Sequence, residues 1–200
     1  MDSPGAKRMD SSELKSQLER CQRESYGWAL CCCSRDAVEA ENVLQAVYLK
    51  ILEGRARFDG RAAFKTWLFS VIRKTAADAR RRKFLRGLRL AGYAESAARV
   101  AREERPDETI YHSEVRTLFR RALAALPKRQ AEVLQLLFYH DLSLSEAAEV
   151  MCVSIGSART HYERGKKRLR RLLKESGVFD ETGRGRERTQ AAIPRTEAGG

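Results

Sequence analysis

The chain has 200 residues, and its 39 lysines and arginines outnumber its 27 aspartates and glutamates to give a net charge of +12. Such a charge favours a polyanionic partner, either nucleic acid or an anionic membrane surface. The longest apolar run, Trp28 to Cys33, is far shorter than the ~20 residues of a membrane span. Residues 1–10 also lack the apolar core of a secretory signal. The composition therefore predicts a soluble, cytoplasmic protein without a membrane-inserted segment.

The cysteines show no disulfide or metal pattern. Cys31, Cys32 and Cys33 are adjacent, Cys21 and Cys152 stand alone, and no C-x-x-C pair occurs. We expect a reducing compartment in which Cys31 to Cys33 act as small apolar residues, with redox sensing as the alternative. The sequence predicts no metal site and no cofactor.

Apolar residues recur at helical spacing in three segments of the chain, and no comparable alternation typical of a strand occurs. These residues are Leu44, Val47, Tyr48 and Ile51, then Leu68, Val71, Ile72, Thr75 and Ala79, and finally Val115, Leu118, Phe119 and Ala122. The pattern predicts an all-α fold with two small helical domains joined by a linker.

Composition suggests where these domains begin and end. We predict a disordered N-terminus (1–10), a first lobe (11–88), a linker (89–112), a second lobe (113–179) and a disordered tail (180–200). Because each lobe is small, we expect the two to move as independent bodies unless a partner fixes their arrangement.

The positive charge is concentrated in two segments. Residues 73–89 carry a net +7 and residues 155–171 a net +6, which together account for the whole excess. Any single basic run is more often a solvated helix face. Because two separated runs carry the whole excess of positive charge, they favour contact with one long polyanion at two places.

The second lobe contains a helix-turn-helix pattern. Ser143 is placed to cap a short helix, with Glu146 at the capping-box position three residues later. Cys152 to Ser154 form the predicted turn, and Ser154 can cap the next helix. The buried face of that next helix comprises Ala158, Tyr162, Gly165, Leu169 and Leu172.

The opposite face of this helix has the residues that DNA recognition requires. Short polar side chains stand near its start and cations follow, so the first turns can meet base edges and the later turns phosphates. The candidate DNA-binding residues are Ser157, Arg159, Thr160, Glu163, Arg164 and Lys167. The alternative is an ordinary helical hairpin with a charged outer face.

Further motifs occur in a definite order along the chain. Ala40 to Gln45 lies on an amphipathic helix, the loop Phe58 to Phe64 precedes Trp67-Leu68, and the basic run Arg80 to Arg82 follows. Leu126-Pro127 then precedes the helix-turn-helix. Over residues 14–173 this order resembles the sigma-70 family of bacterial transcription initiation factors, specifically the extracytoplasmic-function (ECF) group.

The resemblance implies a role for each matching position. Glu41, Leu44 and Gln45 would bind core RNA polymerase, and the recognition helix would read the −35 promoter element. The residues implied in binding the −10 element are Phe58, Asp59, Arg61, Phe64, Trp67, Arg73, Lys74, Arg80, Arg81 and Arg82. Packing in the core is an equally good explanation for Trp67, and Phe58 and Phe64 can be loop anchors.

Among the departures from the family pattern, three concern polymerase docking and the −10 element. Asn42 and Ala46 replace acidic residues and make the polymerase-facing helix less acidic, while Lys74 replaces a common asparagine beside the base pocket. These departures leave open the strength of polymerase docking and the base preference at the −10 element.

The resemblance implies a promoter-specificity factor whose partners are core RNA polymerase and promoter DNA. The protein would associate with the nucleoid when bound to polymerase, and an anti-sigma factor is a further family expectation. A stand-alone helix-turn-helix regulator is the alternative, although it leaves the basic run of the first lobe unexplained. An enzyme is not expected, since His112, His140 and His161 are scattered and no acidic cluster has metal-ligand spacing.

Overall fold

The computed structural model of the protein describes residues 9–90 and 110–176, with the backbone alone at 88–90 and 110–116. Within these ranges all regular structure is helical, as the sequence predicts. The helices are α1 (Ser11–Arg20), α2 (Gln22–Cys32), α3 (Ala37–Leu52), α4 (Phe64–Leu90), α5 (Ile110–Ala124), α6 (Lys128–Phe138), α7 (Leu144–Met151) and α8 (Ile155–Glu175). The predicted disordered tail, and most of the predicted linker and N-terminus, lie outside the described residues.

The first lobe consists of α1 to α4, and its core forms around Trp28. This side chain is fully buried and stacks on Phe69 of α4, with ring centroids 5.8 Å apart. Its indole Nε1 donates a hydrogen bond to the Phe69 carbonyl oxygen at 3.0 Å, which satisfies the one polar atom of the ring. Val43 and Val47 of α3 complete the core. Trp28 thus fixes α2 against α4.

The second lobe consists of α5 to α8, and a glycine allows two of its helices to approach closely. A Cβ atom at Gly165 of α8 would lie 3.2 Å from Cδ1 of Leu134 and 3.3 Å from Cβ of Gln130 on α6. Ala158 and Leu169 bury the rest of this α8 face. The close approach leaves the opposite face of α8 exposed to solvent.

The two lobes pack directly against each other, with α7 on α4 and α6 on α2. The expectation that they move as independent bodies is therefore wrong for this structure. Aromatic, ionic and hydrogen-bonding contacts hold the two lobes together, and neither lobe can form these contacts alone. His140 lies at the centre of these contacts, with its ring edge to face against both Trp28 and Phe69.

Helices α4 and α5 extend into the segment predicted as a linker. α4 continues to Leu90 and α5 begins at Ile110, so helix occupies both ends of that segment. None of the described helices has the length and apolar character needed to cross a membrane.

Candidate nucleic-acid interface

The turn between α7 and α8 is fixed by local hydrogen bonds at both helix starts. The backbone N–H of Glu146 donates to the Ser143 hydroxyl at 3.2 Å, while the backbone N–H of Ser143 donates to Glu146 Oε2 at 2.8 Å. The hydrogen bond from the Ser143 side chain is the main cause that lowers the pKa of Glu146. Ser154 caps α8 by accepting from the Ser157 backbone N–H at 3.2 Å. The predicted capping box and second cap are both confirmed.

Between these caps, Cys152 ends α7 in the left-handed conformation, with φ of 52°. This reversal directs the chain from α7 into α8 over only three residues, as the helix-turn-helix pattern predicts. Positive φ is unfavourable for a residue with a side chain. The surrounding caps therefore hold a conformation that Cys152 alone would not favour.

The outer face of α8 is open to solvent along its length. All six candidate DNA-binding side chains of this helix are exposed: Ser157, Arg159, Thr160, Glu163, Arg164 and Lys167. Three of them already have local partners. Glu163 pairs with Lys166 at 3.1 Å, the Thr160 hydroxyl donates to the Gly156 carbonyl at 3.0 Å, and the Ser157 hydroxyl accepts from the Ser154 hydroxyl at 2.9 Å. The helix presents short polar groups at its start and cations further along, the order that base and phosphate contacts require.

In the first lobe, the three predicted aromatic residues form one cluster. The ring centroid of Phe58 lies 5.4 Å from those of both Phe64 and Trp67, and Phe64 lies 5.3 Å from Trp67. All three are half-buried, so each ring packs on its neighbours and also retains an accessible part. Packing and base contact are therefore compatible at these positions.

A cleft of about 320 Å³ opens beside this cluster. Phe58 and Trp67 form one side of it, and Met9, Leu14 and Ile51 contribute to the rest. A cleft of this volume with aromatic walls suits a flat, unstacked base. Sequence patterns did not reveal the contribution of α1, because Leu14 lies 44 residues from Phe58 and shares no motif with it.

The loop before this cluster is ordered by Asp59. Its carboxylate accepts a hydrogen bond from the Arg61 backbone N–H at 3.2 Å and pairs with the Arg61 guanidinium at 3.3 Å. Both side chains remain exposed. The structure thus brings Asp59 and Arg61 together at the entrance of the loop.

The basic residues predicted on α4 fall into two groups. Lys74, Arg80, Arg81 and Arg82 are exposed, and Arg80 also reaches the Cys32 carbonyl at 3.4 Å. Arg73 differs, because its guanidinium Nε lies 3.2 Å from Oε2 of Glu132 on α6 and its side chain is only 16% exposed. In this structure Arg73 is therefore covered by α6, and its contact with DNA stays a prediction.

The predicted polymerase-binding residues also differ in their exposure to solvent. Glu41 and Gln45 are exposed on α3, whereas Leu44 is 8% exposed and belongs to the core. The helical period explains this, since Leu44 follows the buried Ala40 by four residues and Val43 and Val47 lie on the same side. Glu41 and Gln45 therefore remain the candidates for direct contact with polymerase, and Leu44 packs in the core of the lobe.

The cysteines behave as the small apolar residues that the sequence indicates. Cys32 is buried, and burial raises the pKa of Cys31 to about 12 and that of Cys33 to about 11. A high thiol pKa disfavours the reactive thiolate. Across the described ranges, no group of three or more His, Cys, Asp or Glu side chains could hold a metal ion.

Comparison with known protein families accounts for both lobes. The Sigma-70 region 2 family matches residues 18–84, and the Sigma-70, region 4 family matches residues 116–169. Each match covers one lobe. The two regions follow each other in the order that the motifs indicated.

Individual proteins support the same relationship. The chain is 31% identical over 171 residues to the ECF RNA polymerase sigma factor SigX of Bacillus subtilis, covering 82% of this chain and 87% of SigX. It is 25% identical over 146 residues to SigW of the same organism, covering 68% and 76%.

Solved structures share the fold. The sigma factor RpoE from Bartonella quintana, solved with the anti-sigma factor NepR, has a TM-score of 0.64 at 21% identity over 82% of this chain and 98% of that one. CnrH, solved with the cytosolic domain of CnrY, has a TM-score of 0.55 at 18% identity, covering 83% and 90%. Together with the sequence matches, these findings show that the chain belongs to the ECF group of sigma-70 family RNA polymerase sigma factors.

Proposed function

We propose that α8 reads the −35 element as this sigma factor directs core RNA polymerase to its promoters. The exposed outer face of α8, held by the two caps, is the observation that carries this assignment. Arg159 near the helix start is placed to meet a base edge, whereas Lys167 two turns later is placed to meet a phosphate. The first kind of contact specifies sequence and the second positions the helix on the duplex.

The first lobe binds the −10 element in this proposal. An extruded base enters the cleft beside Phe58 and Trp67, and the exposed cations of α4 hold the backbone. Extruding a base costs stacking energy, which contact with aromatic rings offsets. Because Lys74 is exposed on the same helix, it adds a positive charge near this strand.

Core polymerase docks on α3 through Glu41 and Gln45, with the second lobe on the polymerase flap. The exposed Asn42 and the half-buried Ala46 lie beside them and carry no negative charge. We expect docking here to depend on packing and hydrogen bonds more than on charge, so its affinity should vary only weakly with salt.

The family role also implies where the protein acts and which partners it has. RNA synthesis is the chemistry of the core enzyme, so this chain would contribute recognition without a catalytic residue. It would act in the cytoplasm and on the nucleoid. The sigma factor RpoE of Bartonella quintana was solved with an anti-sigma factor, and an antagonist of that kind is part of the proposal.

The alternative of a stand-alone regulator makes a different prediction. It gives no account of the region 2 match over residues 18–84. In the proposal, the protein alone binds promoter duplex weakly, and core polymerase makes the binding specific. Tight, sequence-specific footprints without polymerase would support the alternative instead.

Substitution on α3 tests the docking surface separately from DNA recognition. Gln45→Glu should weaken binding to core polymerase, since it places a new charge at the centre of the contact. Gln22→Glu, the same substitution at an exposed position of α2, is the control for the added negative charge. Circular dichroism confirms folding, and unchanged core affinity in folded Gln45→Glu would remove α3 from the proposed docking surface.

A further inference from the structure

Arg57 adds a cation to the wall of the cleft beside Phe58 and Trp67. It is exposed, and its Nε donates a hydrogen bond to the Gly54 carbonyl oxygen at 3.0 Å. The other residues that line this cleft are apolar or aromatic. Among the described residues, Arg57 is therefore the one charged side chain at a cleft whose aromatic walls suit a nucleic-acid base.

The turn after α3 places the guanidinium of Arg57. Gly54 adopts a positive φ of 68°, a conformation that a glycine accepts without steric cost. The turn is closed by backbone hydrogen bonds from Gly54 to Ile51 at 3.0 Å and from Ala56 to Lys50 at 2.9 Å. A Cβ atom at Gly54 would lie 3.6 Å from both Nε and Nη2 of Arg57. The guanidinium thus lies directly against the turn.

The neighbouring arginines differ from Arg57 in having acidic partners. Arg55 pairs with Glu53, and Arg61 pairs with Asp59 at 3.3 Å. Within the described parts of the chain, Arg57 forms no ion pair, and its hydrogen bond goes to a backbone oxygen. Its positive charge is therefore not neutralised locally, and its outer N–H groups can bind a ligand.

The shape of a guanidinium limits which bases it can recognise. The group is planar and has N–H donors but no acceptor. Because Nε of Arg57 already donates to Gly54, the N–H groups of Nη1 and Nη2 remain, and two of them match a pair of adjacent acceptors. Guanine offers such a pair in O6 and N7, and cytosine offers one in O2 and N3. On adenine and thymine, donors interrupt the acceptors.

We propose that Arg57 reads the edge of the extruded base and selects guanine or cytosine at that position of the −10 element. This inference rests on the proposed function, which places an extruded base in this cleft. Contact of the base with the rings of Phe58 and Trp67 supplies affinity without selecting a base, because every base has a π-face. The two hydrogen bonds from Arg57 supply the selectivity.

Selection from a promoter library tests this assignment in the complete holoenzyme. Core RNA polymerase and the full-length chain are incubated with a promoter from the start sites that appear when the protein is overproduced. The −10 element of this promoter is randomised, and open complexes that survive heparin are sequenced. At one position, wild type should enrich guanine or cytosine about tenfold over adenine and thymine. The enriched base itself distinguishes the two acceptor pairs.

Substitution of Arg57 should change the preferred base at that position. Arg57→Gln presents one donor and one acceptor, which match adenine, so the preference should move to adenine. Arg57→Ala should reduce the preference to about twofold or less, since stacking alone tolerates any base. The matched control is Arg55→Gln, which removes the same charge from an exposed arginine two residues away and should keep the wild-type preference. A purely structural role of Arg57 would not create a new preference for adenine.

Three results would overturn the assignment. In the first, both Arg57 variants are folded by circular dichroism yet keep the wild-type preference. In the second, both variants lose preference equally at every −10 position, as a distorted loop would cause. In the third, wild type selects adenine or thymine at every −10 position, a result that needs no variant to fold. A wild-type holoenzyme that selects no −10 motif at all would instead contradict the proposed function, so the two failures are distinguishable.

Discussion

Lowering the pH should destabilise the contacts around His140. Burial, and secondly the positive charge of Lys65, lower the pKa of His140 to about 4 from its usual 6.5, against smaller opposing effects of Glu24 and Asp141. The neutral ring is therefore the form that the closed lobes accept. When the lobes separate or unfold, the ring meets water and its pKa returns toward 6.5.

The sign and size of the effect follow by linkage. The stability contributed by neutral His140 is complete above pH 6.5 and is lost as the pH falls toward 4, by about 1.4 kcal/mol for each pH unit. Between pH 7.5 and 5.5 the expected loss is thus about 1.4 kcal/mol, because protonation of the opened state begins only near 6.5. In terms of the equilibrium between closed and opened states, this is about a tenfold shift.

Urea unfolding at pH 7.5 and 5.5 measures this loss, with His140→Gln as the comparison. Glutamine does not titrate, so the variant should lose about 1.4 kcal/mol less stability than wild type over this interval. His112 and His161 are present in both proteins, and their titration cancels in the difference. Equal losses in the two proteins would show that His140 is not buried as a neutral ring against Trp28 and Phe69.

Four other substitutions test separate parts of the structure. Ser143→Ala removes the capping box of α7 and should lower the free energy of unfolding by about 1 kcal/mol. Leu44→Ala should lower it by about 2–5 kcal/mol, as expected for a core residue and not for an exposed docking residue. Urea titration distinguishes these values from no change. On a promoter library randomised across the −35 element, Arg159→Ala should cost about 1–3 kcal/mol and relax preference at one position. Lys167→Ala should weaken all promoters alike and lower the salt slope by about one unit. A uniform loss with Arg159→Ala would instead make Arg159 a phosphate contact.

Local chemistry made the second lobe predictable from the sequence. Ser143, Glu146 and Ser154 act on backbone groups within three residues of themselves, so their spacing alone predicts the bonds that form. The buried and exposed faces of α8 follow equally from the helical period. Both features depend on interactions that the chain makes with its own near neighbours.

The contacts between the lobes could not be predicted in this way. Arg73 and Glu132 are 59 residues apart, and nothing in the local pattern of either residue indicates the other. His140 stands alone in a loop, where its sequence neighbours give no sign of the rings that bury it. The resemblance implied that Arg73 binds DNA, and the basic pattern of a helix face alone cannot show which of its cations is neutralised within the protein.

The arrangement of the aromatic residues of the first lobe could be predicted in part. Phe58, Phe64 and Trp67 lie within ten residues, so their proximity is a local property that the motif already implied. The cleft beside them also needs Leu14 of α1, whose place depends on the packing of distant helices.

We propose that this chain selects promoters for RNA polymerase through both lobes. Its most direct test is mapping of transcription start sites across the genome after the protein is overproduced, with the Arg159→Ala/Trp67→Ala variant as the comparison. We predict a new set of start sites that share one −10 motif and one −35 motif and that the variant does not produce. An unchanged set of start sites, or changes that share a single operator-like motif without a −10 element, would contradict the account.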